Sequence, residues 1–196
     1  MKKFFILGAI WGCIFLQAAN KEEDWKDYQS NIVLPINKAN QVFVSLSVPK
    51  QYKFGYDGSQ PGRLFMEYIP QNETVHNWTT IITVAQYPGR SSGMDSIAKM
   101  TQNAFRGSGE VSVFKVIENR KTKEQGVELH HTLFQYFNKT SECWELNKTV
   151  YIQAQNDIWH IACAARYKDK DQALTKESAL EKIEEVVKAI RIVKAE

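Results

Sequence analysis

The chain has 196 residues, 43% of them hydrophobic, with 25 Lys and Arg against 22 Asp and Glu. That length suits one domain with its own core, and a formal net charge of +3 is too small to mark a binder of nucleic acid or anionic membrane. Lys2 and Lys3 supply most of the excess, since without residues 1–19 the balance is 23 to 22.

Those two lysines precede an apolar run at residues 4–16 and a small-residue exit at Ala18 and Ala19, the order of a secretory leader. The run is shorter than the roughly 18 residues that a membrane-spanning helix needs. The sequence therefore predicts a signal peptide over 1–19, cut after Ala18 or Ala19, although Leu16 or Gln17 stands where a small residue is usual. The alternative is a lipid anchor on Cys13, because Ile10-Trp11-Gly12-Cys13 resembles a lipoprotein box. Trp11 is bulky for that motif, and the apolar run continues past the cysteine.

Residues 20–40 begin charged and then carry Ile32-Val33-Leu34 before Pro35, which reads as a linker or edge segment ahead of a single domain over 41–196. Val42, Val44, Leu46 and Val48 alternate with Phe43, Ser45 and Ser47, the period of a strand that stops at Pro49. Residues 52–62 hold Gly55, Gly58, Pro61 and Gly62, the punctuation of a loop. Strands are expected over 63–69 and 79–87 from their β-branched and aromatic content, joined by a polar turn. A helix is expected from Ser92, with Asp95 three residues on as a capping-box variant, Met94, Ile97, Ala98, Thr101, Ala104 and Phe105 on one face, and Gly107 as its stop. Four strands follow at 111–118, 126–138, 142–155 and 158–167, and their short connections imply an antiparallel meander. A last helix over 175–193 sets Leu180, Ile183, Val187 and Ile190 on one stripe. The sum is an α+β fold: a central antiparallel sheet of about six to seven strands flanked by two main helices.

Several segments resemble a known group. Glu67-Tyr68-Ile69-Pro70, then Asn77-Trp78-Thr79 before Ile81-Ile82-Thr83, a Gly-led helix, and the stretch from Gln153 through Trp159-His160-Ile161 to Arg166-Tyr167 look like small secreted proteins of intracellular gammaproteobacteria with the Mog1/PsbP-like fold. The resemblance spans about 42–193 and implies an antiparallel sheet with helices packed on its faces. Known members of the wider fold bind protein partners or serve as assembly factors, and no set of functional residues is implied.

Candidate chemistry is sparse. His130 and His131 are adjacent in a strand and point to opposite faces. Gathering either with His160 and Cys163 would not give a zinc-like ligand spacing, so no metal or other cofactor is expected. No G-x-S-x-G elbow or paired nucleophile and base is present, and Cys163, among Ile161, Ala162, Ala164 and Ala165, reads as an inert buried thiol. Gly89, Arg90, Ser91 and Ser92 lie between a strand and a helix start, where amides can hold an anion, but a plain capped turn explains them as well. Tyr52, Phe54 and Tyr56 cluster in the glycine-rich loop. With Trp78 they form the candidate partner-binding residues, or else they fold back on the sheet as a lid. Export would permit a disulfide between Cys143 and Cys163. A hairpin turning near 155–157 sets Thr149 opposite Cys163, however, and leaves Cys143 six residues further on, about 20 Å away where a bond tolerates about 7 Å. Four Asn-x-Thr sequons at Asn72, Asn77, Asn138 and Asn147 matter only in a eukaryotic secretory pathway.

The expectation is an exported protein, periplasmic or released, that acts without catalysis by binding a protein partner, as an effector or an envelope accessory factor. Its alternatives are a periplasmic hydrolase or small-ligand-binding protein, and a lipoprotein held at Cys13.

Overall fold

A computed structural model describes residues 28–37, 41–89, 93–168 and 175–194. The expected signal peptide, Cys13, and Arg90, Ser91 and Ser92 lie outside the described residues.

The alternation at the start of the domain is a strand. β1 (Tyr28–Asn37) and β2 (Val42–Pro49) pair antiparallel, with Ile32 opposite Leu46 and Leu34 opposite Val44. One face of the pair, Ile32, Leu34, Ile36, Val44, Leu46 and Val48, is buried. β3 (Tyr52–Asp57), β4 (Phe65–Pro70) and β5 (Thr80–Pro88) follow, then α1 (Gly93–Gly107). β6 (Val111–Glu124), β7 (Val127–Asn138), β8 (Cys143–Gln153) and β9 (Asp157–Tyr167) form the meander, and α2 (Lys176–Lys188) and β10 (Ile190–Lys194) close the chain. The strands make two antiparallel sheets, one of seven in the order β3-β4-β5-β9-β8-β7-β6 and one of three in the order β1-β2-β10.

The large sheet and its two helices answer to the expected layout, while several features differ; the strand expected to stop at 118, for one, runs on to Glu124 in β6, paired with β7 through what was expected to be a connection. β3 occupies part of the expected loop: Gly55 sits at a register shift between Phe54 and Tyr56, and this bulge interrupts the alternation that would have marked a strand. The final helix ends at Lys188, with Ala189 as its cap. The run Ile190-Arg191-Ile192-Val193 is β-branched and finds an unpaired edge of β2, with Ile192 opposite Val44. The hairpin of β8 and β9 is shifted by one residue, so Lys148 and not Thr149 stands opposite Cys163.

The small sheet and α2 cover one face of the large sheet. Val44, Leu46, Ile183 and Val186 join Leu146, Val150, Ile152, Trp159, Ile161 and Cys163 in the main core, and Trp159 Nε1 donates to Pro35 O at 2.9 Å across the layers. Thr175 caps α2, its side chain accepting from Ser178 N at 3.1 Å. The opposite face is covered by α1 over β6, β7 and β8, where Met94, Ile97 and Ala98 pack on Tyr151 and Ile158. At the other end of that face Val75 and Trp78 pack over Ile69, Ile81 and Ala164. No helix among the described residues is long and apolar enough to cross a membrane.

Candidate functional site

The segments singled out at 77–79 and 166–167 meet in space. The connection from Pro70 to Thr80 is closed on itself by Thr74 and Asn77, which exchange backbone hydrogen bonds of 3.2 and 3.1 Å. The Glu73 carboxylate accepts from Thr79 N at 2.6 Å and Thr79 Oγ1 at 2.7 Å. Trp78 is thereby held half-buried with the Arg166 guanidinium 3.9 Å from its ring centroid, a cation–π geometry. Arg166 also donates from Nη1 to Trp78 O at 3.3 Å and from Nε to Glu145 Oε1 at 3.0 Å.

Glu145 is 2% exposed and is saturated with donors, accepting from Tyr136 Oη, from Asn138 Nδ2 at 3.1 Å and from Arg166. Burial, and then the Glu145 charge, raise Tyr136 far above an ordinary phenol. A buried charge this well paired is a structural fastening, since every proton-transfer group in it already has a partner. The sequence quoted Arg166 only as part of a motif; nothing local marks Glu145, 21 residues away, as its counter-ion.

The four candidate partner residues do not form one patch. Tyr52 is 3% exposed and its hydroxyl donates to Thr80 Oγ1 at 2.9 Å, so it belongs to the core and not to a binding loop. Burial raises its phenol accordingly. Phe54 and Tyr56 are 51% and 50% exposed on the edge strand β3. The bulge at Gly55 turns them to opposite faces: Phe54 meets Tyr68 edge-on at 5.5 Å, and Tyr56 meets Phe65 edge-on at 6.2 Å. Trp78 stands apart, at the end of the 71–79 connection. Glu67, opposite Tyr56, is raised above the usual carboxylate range by burial.

The histidines separate as their spacing requires. His130 faces α1, its Nδ1 3.1 Å from Asp95 Oδ1 and its Nε2 2.5 Å from Asn119 Oδ1. His131 points the other way, to Thr122 Oγ1 at 2.8 Å, and burial pushes it down to about 4. His160 faces α1 while Cys163 faces α2, so the four cannot converge on one ion. Among the described residues no three His, Cys, Asp or Glu are placed to hold a metal. Of the candidate anion loop only Gly89 is described, with a φ of 61°; its N–H points at Asp157 Oδ1 at 3.3 Å, so a carboxylate of the chain already occupies that amide.

The proposed disulfide is absent: Cys143 and Cys163 are free and buried. Separation along β8 is the reason, in the observed register as in the expected one, and the one-residue shift adds a second obstacle. Cys143 lies five residues from Lys148, the partner of Cys163, roughly 17 Å along the strand and on the opposite face of the sheet.

A protein-family model matches residues 49–193, and no curated protein matches the sequence. Among solved structures the chain is similar to the cyanobacterial PsbP protein (CyanoP) of Synechocystis, with a TM-score of 0.52 at 11% identity over 84% of this chain and 93% of that one. A Bacteroides thetaiotaomicron protein gives a TM-score of 0.45 at 13% identity over 85% of this chain and 49% of that chain. LpqN, a protein involved in cell envelope biogenesis of Mycobacterium tuberculosis, gives 0.40 at 12% identity over 84% and 91%. The fold is PsbP-like, as the resemblance of the quoted motifs implied.

Proposed function

The chain belongs to the family whose model matches residues 49–193, and on that premise we propose that it is an exported, non-catalytic protein that works by binding a protein partner along the edge of β3. The observation that carries this reading is the pair of half-exposed aromatic rings, Phe54 and Tyr56, on an edge strand of the large sheet. An edge strand offers unpaired backbone groups to an added strand. Rings on both sides of that edge would grip an extended segment of the partner from above and below, and exposed aromatic anchors supply most of the energy of such contacts. Charge contributes little to partner choice here, because the balance outside residues 1–19 is nearly even.

The reading fits the wider fold, in which partner binding and assembly are the common roles, and it uses no residue of the Trp78–Arg166–Glu145 fastening. The test is capture of partners from bacterial and host lysates by three forms of the protein lacking residues 1–19: unchanged, Phe54→Ala with Tyr56→Ala, and Leu180→Ala on α2 as a surface control. Each captured partner is then titrated while hydrogen exchange is followed. A partner that is held by the first and third forms, lost by more than tenfold in the second, and protects the amides of Lys53 to Tyr56 is the expected result. Equal capture by all three forms would remove the β3 edge from consideration.

A further inference from the structure

A second feature lies on the α1 side of the sheet and uses none of the β3 residues. Arg63, Tyr87, Pro88, Gly89 and Met100 line a cleft of about 470 Å³, within the size range of small-molecule sites. We propose that this cleft binds a small aromatic carboxylate, with Arg63 taking the acid and Tyr87 and Met100 taking the ring.

Each wall is placed by the fold. Arg63 closes a tight turn, exchanging backbone hydrogen bonds of 2.8 and 2.9 Å with Gln60. Gln86 N donates to Leu64 O at 2.9 Å, which fixes that turn against β5 beside Tyr87. Tyr87 is the outer member of a ladder of three rings: it stacks on His160 at 6.0 Å and 20°, and His160 stacks on Tyr151 at 5.1 Å and 22°. The inner two rings are buried, so Tyr87 is backed by a rigid aromatic column. Met100, 44% exposed on α1, supplies a flexible thioether of the kind that packs on aromatic rings.

The polar groups at the cleft decide the class of ligand. Among the described residues neither the Arg63 guanidinium nor the Tyr87 hydroxyl has a hydrogen-bond or ion-pair partner. Asp157, which meets the cleft residue Gly89, is engaged by Gln86 Nε2 at 2.7 Å and by Gly89 N at 3.3 Å. A planar guanidinium matches a carboxylate in two-pronged fashion, and a stacked ring column favours a flat, unsaturated body over a saturated one.

The experiment is a titration of the isotope-labelled protein lacking residues 1–19, followed by the resonances of Gly89, Tyr87 and the Met100 methyl. Benzoate is the probe, benzamide removes its charge, and cyclohexanecarboxylate removes its aromaticity. Expected are saturable benzoate shifts at these three residues with a Kd below about 1 mM, and binding roughly tenfold weaker for each of the other two compounds and for Arg63→Gln, a difference of about 1.4 kcal/mol. Arg63 is exposed, so the variant keeps its spectrum and its fold. Shifts that fail to saturate by roughly 10 mM, or benzamide or Arg63→Gln equalling benzoate on the unchanged protein, overturn the assignment. The Phe54→Ala, Tyr56→Ala form is expected to keep benzoate binding, which separates this site from the β3 edge.

Discussion

At the scale of single residues, His160 ties stability to pH. Its ring lies between Tyr87 and Tyr151, neither of its nitrogens meets a hydrogen-bond partner among the described residues, and burial pushes it down to about 4 from 6.5. The unfolded chain therefore takes up this proton at a higher pH than the folded chain does. Stability is fully present above about 6.5 and is lost as the pH falls towards 4, by roughly 2 kcal/mol at pH 5 for this residue alone. His131 titrates in the same direction, and so does His130, lowered by burial against the opposing pull of Asp95. His160→Phe would keep the ring column and remove the proton. Urea midpoints at pH 7.5 and pH 5 are expected to fall less for this variant than for the unchanged protein, and equal falls would show that His160 carries no such linkage.

Among the elements, β10 shows what a local pattern conceals. Leu180, Ile183, Val187 and Ile190 continue a helical stripe past the point where the helix stops, because spacing alone cannot register that β2 still lacks a neighbour. The strand that forms instead buries Ile192 to 6% exposure and is tied in by Gln125 Nε2 donating to Ile192 O at 3.0 Å. Ending the chain at Ala189 removes that burial, worth about 2 kcal/mol, and bares the inner edge of β2, an invitation to strand-to-strand association. The truncated form is expected to unfold at lower urea and to scatter light on warming, with Ile192→Ala intermediate. An unchanged midpoint would mean that β10 adds nothing to the fold. β3 was hidden for a different reason, since the bulge at Gly55 sits inside the very alternation that identifies a strand. β2 and α1 were legible because their period runs unbroken from end to end.

For the whole molecule, the architecture was readable from its periods, and the contacts between distant segments were not. Trp78 and Arg166 are separated by 88 positions, and only the sheet order brings them together. The three-stranded sheet was likewise invisible, because β10 and β1 come from opposite ends of the chain and meet on β2. The register of β8 on β9 keeps the thiols apart: Cys143 lies five residues along from Lys148, the partner of Cys163, and on the opposite face, and each thiol is surrounded by protein. Burial raises both thiols, Cys163 by far the more, so neither is present as the thiolate that would attack a disulfide. The main core, which joins both sheets and α2, therefore holds the described residues without a covalent staple, as a domain of this size can. Melting curves with and without reductant are expected to superimpose, and a thiol reagent should label Cys143 and Cys163 only after denaturation. A melting temperature lowered by reductant, or rapid labelling of the native protein, would require a different pairing of β8 with β9, one that brings the two cysteines opposite each other or opens them to solvent.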